Sequence, residues 1–205
     1  GGGVSTEAIG GDFFRIFEKW TKEKTYAKIG ENTEEGAIGM NNVILIGMPA
    51  VGKSTVGVVV AKRLGYKFVD TDILIQEEEG RLLREIIEEK GIHGFLEIED
   101  RVNAGVDVKN TVISPGGSVV YCENAMEHYK KIGTVVYLQV SFETINKRLK
   151  NAKGRGVVLK EGQTLKDLYD ERVRLFEKYA DVTVSEDGLN LEETIEEVLK
   201  TLKIL

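Results

Sequence analysis

Residues Gly47 to Thr55 read Gly-Met-Pro-Ala-Val-Gly-Lys-Ser-Thr and fit the pattern G-x-x-x-x-G-K-[ST]. They follow the run Asn42-Val43-Ile44-Leu45-Ile46 and precede a helix-forming stretch that ends near Leu64. A strand feeding a glycine-punctuated turn and then a helix leaves unpaired backbone N–H groups at the helix N-terminus, where they can surround a polyphosphate. Backbone from Gly47 through Ala50, Val51 and Gly52 to Thr55 would line the phosphates of a nucleoside triphosphate. Lys53 would neutralise the β- and γ-phosphates, and the Ser54 hydroxyl would ligate Mg2+. The competing reading is a glycine-rich turn that merely joins two elements.

Three further stretches carry chemistry-bearing residues at the ends of expected strands or between helices. Asp70-Thr71-Asp72 places two carboxylates one residue apart. In extended geometry they point the same way, so that one faces a nucleotide-bound Mg2+ and the other reaches a second substrate. Alternatively, Asp72 is a helix N-cap. Ser114-Pro115-Gly116-Gly117-Ser118 supplies consecutive glycines where backbone can approach a ligand closely, as an ordinary tight turn also would. Asn151 to Gly156, with Lys153 and Arg155 among glycines, suits either a lid that brings a guanidinium to transferring phosphates or a solvated loop. In Asp170-Glu171-Arg172-Val173-Arg174, helical spacing lets one arginine face a cleft while the other pairs with an acid a turn away.

The elements that must position these residues alternate along the chain from Met40 onward. Strands are expected at Val43–Ile46, Lys67–Val69, Thr111–Ser114, Thr134–Val140 and Val182–Val184. Helices are expected at Gly52–Leu64, Asp72–Glu78, Leu82–Lys90, Ile92–Gly105, Glu123–Lys131, Phe142–Lys150, Thr164–Ala180 and Leu191–Leu202. This is the pattern of a parallel sheet covered on both faces, in which ligands collect at the carboxyl ends of the strands. The 205 residues suffice for one α/β domain, expected over 40–205, preceded by an extension or appended leader over 1–39. Within that leader, Phe13, Ile16, Phe17 and Trp20 share one face of a possible short helix capped by Asp12.

A net charge of −6 argues against a nucleic-acid footprint, and no apolar stretch is long enough to span a bilayer. One cysteine, Cys122, leaves no disulfide framework and fits a reducing compartment, so a cytoplasmic monomer is expected.

Taken in order, these residues resemble the shikimate kinase family, small phosphate-loop kinases of the nucleoside-monophosphate-kinase type. The resemblance spans Met40 to Leu205. It rests on Gly47–Thr55, on Asp70-Thr71-Asp72 for the family's D-[ST]-D, on Gly116-Gly117, on the lid arginine Arg155, and on Asp170 to Phe176 for its E-R-x-x-[LF]-[YF] helix. It implies a three-layer α/β/α phosphate-loop kinase fold with a five-stranded parallel sheet, a small helical acceptor-binding subdomain over about 72–105 and a lid over about 151–162.

It also implies ATP-dependent phosphorylation of a small-molecule hydroxyl, as in aromatic amino acid biosynthesis. Lys53 and Ser54 would hold ATP and Mg2+, with Asp70 near the metal. Asp72 would orient or deprotonate the attacking hydroxyl, and Gly116 and Gly117 would contact the acceptor. Arg172 would bind its carboxylate, Arg155 would close over the phosphates, and Arg148 would pack on adenine.

The chain departs from the family at Phe95-Leu96-Glu97-Ile98-Glu99, where F-R-x-x-E places a second carboxylate-clamping arginine at the position of Leu96. Loss of one of two such clamps in a dry site costs a few kcal/mol. Either Arg81, Arg84 or Arg101 reaches in from a neighbouring turn, or the acceptor is another hydroxy acid, a polyol or a nucleoside. A binding module that has lost turnover is the remaining reading. Smaller departures are Ala50 and Ser118, where the family often has glycine, and Gly156, where a proline usually follows the lid arginine.

Overall fold

The computed structural model describes residues 42–151, 159–160 and 162–202. The short aromatic segment near Asp12 and the lid arginine Arg155 therefore lie outside the described residues. In chain order the elements are β1 (Asn42–Ile46), α1 (Lys53–Leu64), β2 (Lys67–Asp70), α2 (Thr71–Glu79), α3 (Leu83–Ala104) and β3 (Thr111–Ser114). A 3-10 turn (Val119–Tyr121) follows, then α4 (Glu123–Ile132), β4 (Thr134–Gln139), α5 (Phe142–Asn151), α6 (Leu165–Tyr179), β5 (Val182–Ser185) and α7 (Leu191–Thr201).

The five strands form one sheet in the order β2-β3-β1-β4-β5, and every pairing is parallel. β1 lies in the middle, and all five of its residues are buried. Successive side chains on a strand point to opposite faces, so complete burial means that both faces are covered, the three-layer arrangement expected of this pattern. Each fully buried aliphatic side chain in it contributes roughly 1.5–3 kcal/mol. The one polar member, Asn42, is satisfied by both loops beside it. Its Nδ2 donates to Val108 O and Ile132 O, each at 2.9 Å, and its Oδ1 accepts from Thr111 N–H at 3.1 Å. Asn42 thereby pins the entrances of β3 and β4 and fixes the register Asn42 to Thr111.

A second, smaller apolar cluster of Ile75, Ile86, Phe95, Ile98 and Val102 joins α2 to α3. Inside α3, Gly91 adopts φ 69°, ψ 179°, which breaks the helix where two separate helices were expected. α2 starts at Thr71, one residue before the expected Asp72, and this corrects the extended pairing of the two carboxylates and also the alternative of Asp72 as the cap. Asp70 is the N-cap, and its Oδ1 accepts from Asp72 N–H at 3.1 Å. The two carboxylates therefore do not extend side by side from one strand; Asp70 closes β2 and Asp72 stands in the first turn of α2.

Candidate active site

The loop between β1 and α1 is shaped by residues that tolerate unusual backbone. Gly52 caps α1 at φ 113° with no side-chain hydrogen bond, so the first amides of the helix have no competing side-chain acceptor at the cap. Ala50 adopts φ 63°, a conformation that glycine takes freely and alanine takes at a cost of roughly 1–2 kcal/mol. Ala50 thus stores modest strain in the loop. Lys53 Nζ donates to the carbonyls of Gly47 (2.9 Å) and Met48 (3.1 Å), which curl the loop around the ammonium. Burial pushes the Lys53 pKa down to about 8, and the charge of Asp72 opposes that shift.

Beside the loop, Ser54 Oγ donates to Asp70 Oδ2 at 2.8 Å. One hydroxyl and one carboxylate at a helix N-terminus suit a magnesium ion, which keeps water and substrate phosphates as most of its ligands. Among the described residues no three His, Cys, Asp or Glu side chains converge on a metal position, so a site made wholly of protein ligands is not formed there.

These groups open into a cavity of about 430 Å³. Its floor is the phosphate loop, with Lys53, Ser54 and Thr55; the end of β2 brings Asp70, the first turn of α2 Asp72, and the loop after β3 Gly116, Gly117 and Ser118 to its side. The α3 wall is apolar, with Leu83, Ile87, Ile92, Phe95 and Leu96. The α6 side supplies Lys160, Gln163, Leu168 and Arg172.

The two arginines of α6 separate as helical spacing allows: Arg172 is buried and lines the cavity, whereas Arg174 is exposed. The Arg172 guanidinium lies over the Tyr121 ring, 5.4 Å from its centre, and its Nε has no protein partner. A buried guanidinium N–H without a protein partner is suited to an anionic ligand group.

Asp72 is half-buried, and its pKa is raised to about 6, chiefly by burial and then by the charge of Asp70, against the pull of Lys53. Behind it lies Glu99, fully buried, with Oε2 accepting from Ser118 Oγ at 2.6 Å and Oε1 unpartnered. Burial raises its pKa to about 7. A Cβ at Gly116 would stand 2.7 Å from Glu99 Oε1 and 2.9 Å from Asp72 Oδ1. Glycine at 116 lets both carboxylates lie against that loop, and a larger residue would push them back.

Arg148 is not on the cavity lining. Its Nη1 donates to Val51 O at 2.8 Å and lies 3.2 Å from Glu186 Oε2, which ties α5 and the end of β5 to the phosphate loop. Nor does a neighbouring arginine fill the place of Leu96. Arg81 pairs with Glu89, Arg101 pairs with Glu78 (3.1 Å) and Glu79 (2.8 Å), and none of Arg81, Arg84 and Arg101 lines the cavity.

Glu99, Tyr121, Lys160 and Gln163 were not singled out as site residues from the sequence. For Glu99 a signal exists, because it stands at helical spacing from the buried Phe95, Ile98 and Val102, on the stripe that faces the core. Tyr121, Lys160 and Gln163 reach the cavity through long-range packing and carry no comparable local signal.

Comparison with known proteins follows the same outline. A family model described as shikimate kinase matches residues 49–203. The shikimate kinase of Sulfurihydrogenibium sp. (strain YO3AOP1) is 37% identical over 165 residues, covering 80% of this chain and 99% of the relative. That of Persephonella marina is 33% identical over 165 residues, covering 80% of this chain and all of the relative (100%). Among solved structures, the shikimate kinase from Acinetobacter baumannii in complex with shikimate aligns with TM-score 0.72 at 28% identity, over 81% of this chain and 94% of that one. The Aquifex aeolicus shikimate kinase aligns with TM-score 0.65 at 32% identity, over 79% and 96%. Among the described residues no helix is long and apolar enough to cross a membrane.

Proposed function

Since the chain belongs to the shikimate kinase family and is thereby an ATP-dependent small-molecule kinase, we propose that its acceptor is shikimate and that its product is shikimate 3-phosphate. The observation that carries this reading is a single cavity lined jointly by the phosphate-loop Lys53 and Ser54, the carboxylate of Asp72 and the buried guanidinium of Arg172. These are the groups needed to bring a triphosphate, a hydroxyl and an acid group together.

In this reading the backbone amides from Gly47 through Ala50, Val51 and Gly52 to Thr55 receive the phosphates, and Lys53 neutralises charge on the β- and γ-oxygens. Ser54 and Asp70 would hold Mg2+, which supplies charge neutralisation at the phosphates. Asp72 accepts a hydrogen bond from the attacking hydroxyl and takes its proton. The acceptor oxygen bonds to the γ-phosphorus as the bond to the β-bridging oxygen breaks, and ADP leaves.

Gly116 and Gly117 let the acceptor lie against backbone, and Arg172 pairs with its carboxylate. Residues of about 72–105, with their own apolar cluster, would form the acceptor-binding subdomain of a domain over 40–205. Arg148 would offer the face of its guanidinium to adenine while its edge holds the loop. Arg155, outside the described residues, would close over the phosphates.

Arg172→Ala is the direct test of how the acid group is held. The KM for shikimate is expected to rise about 30-fold or more, with the KM for ATP nearly unchanged, because the clamp contributes to acceptor binding alone. An unchanged KM for shikimate would show that Arg172 does not bind the acceptor.

A further inference from the structure

Among the described residues three cationic side chains line the cavity: Lys53, Lys160 and Arg172. Lys53 is held by the phosphate-loop carbonyls and serves the phosphates. The arginines near Leu96 are engaged elsewhere or exposed. Resting on the reading that the acceptor is shikimate, we propose that Lys160 binds the acceptor's carboxylate together with Arg172 and supplies the second positive charge that Leu96 cannot.

Lys160, exposed at its tip, and the buried Arg172 line the same cavity, and local geometry ties Lys160 to α6. The Lys160 N–H donates to Gln163 Oε1 at 3.2 Å, and Gln163 Nε2 donates to Glu171 Oε2 at 3.1 Å, which anchors the residue to Glu171 of α6. Among the described residues its ammonium pairs with Glu171 at 3.9 Å, at the outer limit of an ion pair, so the charge retains capacity for another anion. The Tyr121 ring beneath Arg172 completes this cationic side. The α3 wall opposes no charge to it, since Leu83, Ile87, Ile92, Phe95 and Leu96 carry none. An acid with a carbocyclic body therefore fits one way, with its carboxylate toward α6 and an apolar ring face toward α3. Both clamps then come from the α6 side rather than one from each helix.

The test is steady-state kinetics on the full chain with shikimate and with its methyl ester, which lacks the charge. Lys160→Met is expected to raise the KM for shikimate about tenfold, with kcat and the KM for ATP within about twofold of wild type. Lys160→Arg should keep the wild-type KM, and Leu96→Arg in the Lys160→Met background should restore it. The penalty for replacing acid by ester should shrink in Lys160→Met. An unmoved KM in Lys160→Met, or an equal rise for acid and ester, would overturn the role of Lys160 while leaving shikimate as acceptor. Absence of wild-type turnover with shikimate would overturn both.

Discussion

Lys53→Ala is expected to lower kcat/KM for ATP by at least about 100-fold, equivalent to about 2.7 kcal/mol of transition-state stabilisation. The ammonium stands at the centre of the phosphate loop, held by the carbonyls of Gly47 and Met48. Charge develops on the transferring phosphoryl group beside a buried ammonium, so alanine removes one of the positive charges that offset it. Circular dichroism should be unchanged, because the strands and helices do not depend on this side chain for their hydrogen bonds. Wild-type turnover in Lys53→Ala would remove the phosphate loop from the mechanism.

Asp72→Asn is expected to lower kcat by roughly 10²- to 10⁴-fold, the range for loss of a positioned general base. Asparagine keeps the size of the side chain and one oxygen to accept a hydrogen bond, but it cannot take the proton of the hydroxyl. The cap of α2 survives, because that role belongs to Asp70 and uses only the backbone N–H of residue 72. The KM for ATP should move little. A kcat within a few-fold of wild type would mean that the proton leaves by another route and that Asp72 only orients the acceptor.

How much of this was legible in the chain depends on how local each feature is. The phosphate loop is nine consecutive residues between a strand and a helix, and the structure folds it as that order requires. All five strands lie within a residue of their expected ends, because continuous β-branched runs bounded by turn residues mark a buried parallel strand clearly. The break of α3 was visible as Gly91. The extended pairing expected of Asp70 and Asp72 failed, and so did the alternative of Asp72 as the cap, since the two are chemically equal and only the point where the helix begins tells them apart.

Glu99 was passed over although a signal was present. In a stretch as acidic as Glu77 to Glu99, only its helical spacing from Phe95, Ile98 and Val102 sets it apart from its solvated neighbours. The fold adds what the spacing could not: Ser118, nineteen positions on, bonded to its carboxylate. Arg148 is similar: its bonds to Val51 and Glu186 join residues far apart in sequence, and no spacing rule anticipates them. Lys160 and Tyr121 enter the cavity through the packing of α6 and the 3-10 turn, again at long range.

The most direct test of the central claim is acceptor-dependent ADP release with Mg-ATP, comparing shikimate with a panel of other hydroxy acids, polyols and nucleosides. Saturable ADP release with shikimate, matched by formation of shikimate 3-phosphate, is the predicted result. Silence with shikimate beside saturable turnover of a neutral polyol or a nucleoside would contradict it, and would make Leu96 and the apolar α3 wall the mark of a different acceptor.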